Sequence, residues 1–160
     1  MKTANLLQIL IDEKITIATA ESCTGGMIAS HIVDVSGASA IFSQGYVTYA
    51  DDAKVAMLGV NSETIATYGV VSHPVAQEMA ACVRRIADTD VGISTTGVAG
   101  PFGGTEENPV GTVYIACSIG TKTITRRFHF HGSRSMIRKA ATKAAFQLLE
   151  DCLKKASIVP

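Results

Sequence analysis

One stretch of the sequence constrains the fold more than any other. Residues 15–18 form an apolar, β-branched run, and apolar residues at helical spacing begin at Met27. Between them lie residues 19–26, Thr-Ala-Glu-Ser-Cys-Thr-Gly-Gly. A strand that stops at a small hydroxyl residue and turns directly into a helix places that hydroxyl at a sheet edge, beside free N–H groups of the first helical turn. The stretch therefore predicts either a catalytic serine at the end of a strand or an ordinary helix cap and turn.

The remaining patterns predict a single α/β domain over residues 1–160. Helical and strand patterns alternate along the chain, an order typical of one mixed β-sheet covered by helices, a three-layer α/β/α arrangement. The length suits one domain with a full hydrophobic core. The predicted helices are residues 3–13, 27–35, 51–58, a short one from residue 61 or 62, 73–86 and one capped by Ser133. The predicted strands are residues 15–20, 40–50, 91–96, 110–119 and 122–130.

Composition limits the partners that such a domain can have. Acidic and basic residues balance at 14 each, and 47% of the residues are hydrophobic against 18% charged. The balanced charge provides no field for nucleic acid or an anionic membrane. The N-terminus lacks signal-peptide character, and no apolar run approaches the roughly 18 residues of a membrane helix. We therefore expect a soluble, cytoplasmic protein with no nucleic-acid partner and no membrane partner.

Ser22 and Cys23 are rival candidates for a nucleophile. A helix N-terminus can lower the pKa of a thiol, which favours Cys23. A serine needs a base to take its proton. The other cysteines, Cys82, Cys117 and Cys152, lie in apolar patterns, and their spacing matches no zinc site.

Lys54 is a better candidate for the base than any histidine. Tyr49 ends a predicted strand and Lys54 lies in the first turn of the next predicted helix, so both can lie at one end of the sheet. A helix N-terminus and burial each disfavour a cation, and together they would lower the pKa of Lys54. Tyr49 could then relay the proton or orient the amine. The alternative is a solvated lysine beside a packing tyrosine, which is the commoner case.

A long glycine-rich loop over residues 97–109 matches neither a Walker A nor a Rossmann fingerprint. Its length favours a functional role. Arg134 and Arg138 lie one helical turn apart and are candidates for binding a phosphate or carboxylate. His129 and His131 share a strand face but supply only two ligands, so we expect no metal site.

Three motifs taken together resemble one known family. They are residues 19–26, the segment Gly-Tyr-Val-Thr-Tyr at 45–49 followed by Lys54, and the run from Gly97 to Val113. In order and spacing they closely resemble the CinA C-terminal-domain family, whose enzymes are nicotinamide-nucleotide amidohydrolases. The resemblance runs from the first helix to the last. It is to the stand-alone form, since nothing precedes the first helix in this sequence.

The resemblance implies hydrolysis of nicotinamide mononucleotide to nicotinic acid mononucleotide and ammonia, a step of NAD recycling. It implies a serine–lysine mechanism without metal or cofactor, in which Ser22 is the nucleophile, Lys54 its base and Tyr49 an assisting residue. Backbone N–H groups of residues 23–26 would form the oxyanion hole, while residues 97–101 and Arg134 would hold the ribose and phosphate. The implied substrate-binding residues are Cys23, Thr24, Gly25, Gly26, Thr96, Gly97, Gly100, Arg134 and Arg138.

Three alternatives stay open. The chain could be a non-catalytic nucleotide-binding or regulatory module, a cysteine amidase that uses Cys23, or a hydrolase for a different amide. A homodimer is a fair expectation, because most soluble oligomers have two-fold symmetry.

Overall fold

The computed structural model describes residues 1–158, in which five strands form one sheet. The strands are β1 (Ile17–Glu21), β2 (Gly45–Val47), β3 (Val91–Gly97), β4 (Thr112–Ile119) and β5 (Lys122–His129). Their order in the sheet is β2-β1-β3-β4-β5. β1 pairs in parallel with β2 and β3, whereas β4 is antiparallel to both β3 and β5. The mixed α/β sheet predicted from the sequence is confirmed.

Helices cover both faces of this sheet. They are α1 (Thr3–Asp12), α2 (Met27–Val33), α3 (Asp51–Ala53), α4 (Ser62–Tyr68), α5 (His73–Ile86) and α6 (Arg134–Lys155). A π-helical segment, Lys54–Leu58, continues α3. One core joins α1, α2 and α6 to the sheet, and a second joins α5 and the π-helical segment to the opposite face of β1. Among residues 1–158, no helix combines the length and apolar character that crossing a membrane requires.

Small side chains let α5 lie close to the sheet. A Cβ on Gly92 would collide with the main-chain oxygen of Ala80 and would lie 2.8 Å from the Cβ of Arg84. Beside it, the Ser94 hydroxyl donates to the main-chain oxygen of Ala76 at 2.6 Å. This close contact holds the start of α5, and the loop before it, near the carboxyl end of β3.

The topology places a crevice at the carboxyl end of β1. The chain leaves β1 through α2 to reach β2 on one side, and later returns through α5 to β3 on the other side. α2 and α5 lie on opposite faces of the sheet. In open α/β sheets, ligands bind outside the strand ends at such a switch point. The segment after β1 is residues 22–26, so the fold brings this segment to the crevice.

The strand predicted over residues 40–50 is wrong in extent. Only Gly45–Val47 forms a strand, and residues 38–40 form a 3₁₀ turn. β1 ends at Glu21, so its pairing with β2 stops at Val47, and at the other end the pairing begins only at Gly45, opposite Thr19. Tyr49 therefore lies beyond the strand, in the connection to α3.

Candidate active site

Ser22 lies directly after β1, where the sheet ends. Its N–H donates to the main-chain oxygen of Thr95 on β3 at 3.0 Å, and its side chain is buried. Gly25 and Gly26 have φ values of +57° and +92°, a region that side chains with a Cβ adopt only at a cost. These two glycines let the chain reverse into α2, so the predicted strand–turn–helix is present.

Lys54 reaches Ser22 from the first residue of the π-helical segment. Its side chain is 1% exposed, although lysine is rarely buried. The amine Nζ donates to the main-chain oxygen of Thr48 at 2.9 Å and to Ser22 Oγ at 3.2 Å. The alternative of a solvated lysine is therefore wrong.

The surroundings of Lys54 favour its neutral form. Burial lowers the pKa of Lys54 below its ordinary value of 10.5, because the charged amine loses its hydration. The negative charge of Asp51 opposes the shift. Of the two causes predicted from the sequence, burial is the one that the structure supports.

Cys23 is also buried, and burial shifts the pKa of its thiol upwards, whereas it shifts that of the Lys54 amine downwards. Burial raises the pKa of the Cys23 thiol to about 11, and a hydrogen bond with Thr95 and the charge of Arg138 offset this only in part. Since the thiolate is the reactive form, Cys23 is a poor nucleophile near neutral pH. This disfavours the cysteine-amidase alternative.

A buried carboxylate that the sequence analysis did not single out lies behind Ser22. Glu21 is 0% exposed, and its carboxylate accepts four hydrogen bonds. The donors are the Thr24 hydroxyl at 2.6 Å and the N–H groups of Gly26 at 3.1 Å, Ile28 at 3.1 Å and Ala29 at 2.9 Å. The carboxylate thus occupies the first turn of α2 that the sequence predicted to be free.

The hydrogen bonds to Glu21 reduce the number of N–H groups that can form the predicted oxyanion hole. The N–H of Gly26 is bound to Glu21, and the N–H of Gly25 donates to the main-chain oxygen of Ser22 at 3.0 Å. Within residues 1–158, the N–H groups of Cys23 and Thr24 donate to no main-chain oxygen. Of the N–H groups in the turn predicted to form the oxyanion hole, those of Gly25 and Gly26 are therefore engaged elsewhere, and those of Cys23 and Thr24 are left.

A cleft of about 430 Å³ opens above Ser22 and Lys54. Thr96 stabilises one wall by donating to the main-chain oxygen of Val70 at 2.9 Å. No sequence motif marked the wall residues from the loop between α4 and α5, because they are ordinary apolar side chains. The lining comprises Ser22, Cys23, Tyr49, Asp51, Lys54, Val70, Val71, Thr96, Gly97 and Ala99.

Tyr49 and Arg134 meet at the rim of this cleft. The Arg134 guanidinium donates to the Tyr49 hydroxyl at 2.6 Å and to the main-chain oxygen of Gly100 at 2.8 Å. Tyr49 is 59% exposed, and within residues 1–158 its hydroxyl makes no hydrogen bond to Ser22 or Lys54. Arg134 thus links the two sides of the cleft, and the proton relay through Tyr49 stays a prediction.

Arg138 contacts the main chain of the turn rather than the cleft. Its Nε donates to the main-chain oxygen of Cys23 at 3.0 Å, and its Nη2 donates to that of Thr24 at 2.9 Å. The side chain is partly buried between α6 and the turn. This geometry favours a role in bracing the turn over the anion binding predicted from its spacing to Arg134.

Of the two histidines predicted to share a strand face, His129 ends β5 and His131 lies two residues beyond it. The rings of His129 and His131 have centroids 4.7 Å apart. Across residues 1–158, no group of three or more histidine, cysteine, aspartate or glutamate side chains is placed to share a metal ion.

A larger cavity, about 620 Å³, lies between β4, β5 and the end of α6. Cys117 and Cys152 line it and contact each other, a hydrogen bond that raises the pKa of Cys117 and lowers that of Cys152. Lys122 and Lys155 complete its polar lining, and it contains no hydroxyl nucleophile. The smaller cleft at the switch point is therefore the better candidate for chemistry.

Comparison with known proteins places the chain in a wider group. A family model described as "CinA C-terminal domain" matches residues 2–153. A CinA-like protein of Syntrophus aciditrophicus is 45% identical over 150 residues, which are 93% of this chain and 36% of that protein. The chain spans about a third of the length of the curated relatives that it matches.

Solved structures show the same fold. The crystal structure of a competence-damaged protein (CinA) superfamily protein from Escherichia coli is 37% identical with a TM-score of 0.90, covering 94% of this chain and 88% of that chain. That of a competence/damage inducible protein from Agrobacterium tumefaciens is 34% identical with a TM-score of 0.90, covering 93% and 92%. The two matches extend over nearly the whole of both chains.

Proposed function

Because the chain belongs to the CinA C-terminal domain family, we propose that it hydrolyses the carboxamide of nicotinamide mononucleotide to nicotinic acid mononucleotide and ammonia. The observation that carries this proposal is the buried amine of Lys54, 3.2 Å from Ser22 Oγ at the floor of a cleft. A hydroxyl within reach of a neutral amine is the arrangement that activates a serine nucleophile.

The first step uses the geometry of the amine. Lys54 Nζ donates one N–H to the main-chain oxygen of Thr48 and lies 3.2 Å from Ser22 Oγ, so in its neutral form it can rotate its lone pair to accept from the Ser22 hydroxyl. Lys54 takes the hydroxyl proton as Ser22 Oγ attacks the carboxamide carbon. The C–O bond forms and the carbonyl electrons move onto oxygen, which gives a tetrahedral oxyanion.

The two free N–H groups of the turn would stabilise that oxyanion. Those of Cys23 and Thr24 follow Ser22 directly, and removing one such donor elsewhere costs about 3–4 kcal/mol. The intermediate collapses when Lys54 returns its proton to the leaving nitrogen, so ammonia departs and an ester on Ser22 remains. Lys54 then takes a proton from water, and the resulting attack frees the acid and restores Ser22.

The rest of the substrate would bind along the cleft walls. The apolar side chains of Val70, Val71 and Ala99 suit a flat pyridine ring. Arg134 at the rim is the charged group best placed for the phosphate, where it would exchange the Tyr49 hydroxyl for a charged acceptor. Binding energy gained at the rim would help to orient the carboxamide at Ser22.

The test is ammonia release from nicotinamide mononucleotide by the purified chain, with EDTA present. We expect turnover by the wild type and a loss of at least about 10³-fold in Ser22→Ala and in Lys54→Met, because nucleophile and base act as a unit. Ser43→Ala is the control, since Ser43 is exposed and lies outside the cleft. Turnover that survives in Ser22→Ala would overturn the mechanism. Binding of the nucleotide without turnover by the wild type would overturn the activity and favour a binding module.

A further inference from the structure

The turn that carries Ser22 is held by a side chain outside the cleft. Glu21 does not line the cleft, so it cannot contact a substrate there. Its carboxylate is nevertheless fully buried, and no Lys, Arg or His side chain in residues 1–158 forms an ion pair with it. Burying an unpaired carboxylate is costly unless hydrogen bonds replace its hydration. Because the burial of the Glu21 carboxylate costs free energy, we expect this side chain to have a role in the site.

The four donors to Glu21 come from the middle and the end of the turn and from the first turn of α2. The Thr24 hydroxyl lies within the turn, the Gly26 N–H ends it, and those of Ile28 and Ala29 begin α2. Because Glu21 is itself the residue before Ser22, these bonds close a ring of protein around the segment 22–26. Hydrogen bonds to a charged acceptor are about twice as strong as neutral ones, so the ring is rigid.

Thr24 and Ser22 also connect the turn to β3, the strand that lies beside β1 in the sheet. Thr24 Oγ1 lies 2.8 Å from Thr95 Oγ1. Since the single Thr24 hydroxyl proton is donated to Glu21, Thr95 donates to Thr24. The main-chain oxygen of Thr95 accepts the N–H of Ser22 at 3.0 Å. Residue 95 therefore holds the turn at two points.

The main chain of Glu21 also reaches the base. Its carbonyl oxygen accepts the N–H of Thr48 at 2.9 Å, and the carbonyl oxygen of Thr48 accepts the Lys54 amine. Glu21 is thus joined to Ser22 by a peptide bond and to Lys54 through one hydrogen-bonded residue, Thr48.

We propose that Glu21 is a positioning residue, whose buried carboxylate holds residues 22–26 in the conformation that points Ser22 Oγ at Lys54 and leaves two N–H groups free for the oxyanion. This inference rests on the proposed function for its chemistry. A glutamine at position 21 keeps the shape but turns an NH₂ group towards at least one N–H donor. The turn then shifts, and a displacement near 1 Å at a reacting group can cost about 100-fold in rate.

The experiment compares Glu21→Gln with the wild type in two assays. We expect kcat for the nucleotide to fall roughly 10- to 100-fold with KM unchanged. The second assay measures the rate constant with which a fluorophosphonate labels Ser22, a reaction in which Oγ bonds to phosphorus, fluoride leaves and Lys54 takes the proton. The rate constant is divided by the folded fraction, measured by circular dichroism on the same sample, so that partial unfolding is accounted for and a shifted turn still lowers the corrected value. Glu63→Gln, an exposed glutamate on α4, is the control and should match the wild type.

A second pair of variants covers the case in which Glu21→Gln does not fold. Thr24→Ser keeps the hydroxyl that Glu21 accepts, and Thr24→Val removes it at nearly constant shape. We expect slow labelling and low kcat in Thr24→Val, and faster labelling and a higher kcat in Thr24→Ser than in Thr24→Val, because only the serine keeps the hydroxyl.

The outcomes separate this inference from the proposed function. An active wild type with equally active, equally labelled Glu21→Gln and Thr24→Val variants would overturn the positioning role alone. A wild type that labels at Ser22 but releases no ammonia, with slower labelling in the variants, would overturn the proposed activity and support the positioning role. A wild type that neither turns over nor labels would overturn both.

Discussion

Burial acts in opposite directions on the two titratable side chains beside Ser22. It lowers the pKa of the Lys54 amine and raises that of the Cys23 thiol to about 11. In both cases the low-dielectric surroundings disfavour the charged form. At neutral pH this makes the amine a better proton acceptor and the thiol a weaker nucleophile, so one physical cause selects serine chemistry over cysteine chemistry.

The first prediction at this scale concerns pH. In the proposed mechanism Lys54 acts when neutral, so kcat should rise with pH through the lowered pKa of Lys54 and level off below 10.5. Asp51→Asn should move this rise to lower pH, because the Asp51 charge raises the pKa of the amine. Asp52→Asn is the matched control at the neighbouring exposed position. A profile that rises only near pH 10.5, or one that Asp51→Asn leaves in place, would contradict the assignment of Lys54.

The second prediction concerns the thiols. Iodoacetamide at pH 7.5 should leave ammonia release unchanged over the time in which it modifies the partly exposed Cys82. Mass spectrometry of the treated protein would identify the modified residues. Inactivation in step with modification of Cys23 would restore the cysteine alternative.

At the scale of elements, α6 stabilises the turn between β1 and α2 from outside. Arg138 binds two successive carbonyl groups of that turn, and its Nη2 lies 3.2 Å from where a Cβ of Gly25 would be. The guanidinium can do this because its donors are planar and fixed in direction. The element that carries Ser22 is therefore held by Glu21 on one side and by α6 on the other.

The prediction for these elements compares adjacent residues on α6. Arg138→Ala should lower kcat roughly 10- to 100-fold with a small effect on KM, because it frees the turn without removing a substrate contact. Lys139→Ala, at an exposed position on the same turn of α6, should leave both constants unchanged. A large rise in KM with kcat intact would instead mean that Arg138 binds the substrate, as its spacing suggested.

The local sequence pattern was sufficient to predict most helices and strands, but it was not sufficient to predict the contacts between the residues of the site. The apolar run before Ser22, the glycines at 25 and 26 and the stripe of α5 are local signals, and the elements that they predicted are present. The strand at 40–50 failed because its length depends on β1, which the segment itself does not encode. Glu21 was overlooked as a site residue because its donors become apparent only once α2 folds back onto β1.

At the scale of the whole molecule, the sheet order decides which residues meet. Ser22, Thr48 and Thr96 lie far apart in sequence, but β1, β2 and β3 are parallel and bring their carboxyl ends to one edge. The sequence placed Ser22 at the end of a strand and Lys54 in the first turn of a later helix, and the family resemblance paired them. The structure brings the two side chains together. That Val70 and Val71 line the cleft could not be predicted from the sequence, because their position depends on how α5 packs against the sheet.

The fourth prediction is a gain of stability when the base is removed. In the folded chain Lys54 loses its proton at a lower pH than in the unfolded chain, so the unfolded state binds more protons between the two pKa values. The free energy of unfolding therefore rises with pH between the two pKa values. Below the lower pKa the folded chain carries the full cost of the buried, charged amine. Lys54→Met should raise the melting temperature at neutral pH by roughly 2–4 °C for each kcal/mol recovered.

The gain in melting temperature of Lys54→Met should shrink as the pH approaches 10.5, where Lys54 in the unfolded chain also becomes neutral. Lys139→Met, at an exposed position, should change the melting temperature little at any pH. A lower melting temperature for Lys54→Met at neutral pH would show that the buried amine stabilises the fold and would contradict the penalty.

The measurement that tests the central claim most directly is trapping of the ester on Ser22. If Ser22 is acylated during turnover of nicotinamide mononucleotide, added hydroxylamine should compete with water and yield the hydroxamate of the nucleotide. Ammonia release should then continue at an equal or higher rate, and Ser22→Ala should give neither product. Ammonia release by the wild type with no hydroxamate at any hydroxylamine concentration would show that no acyl-serine forms, and the account of Ser22 and Lys54 would be wrong.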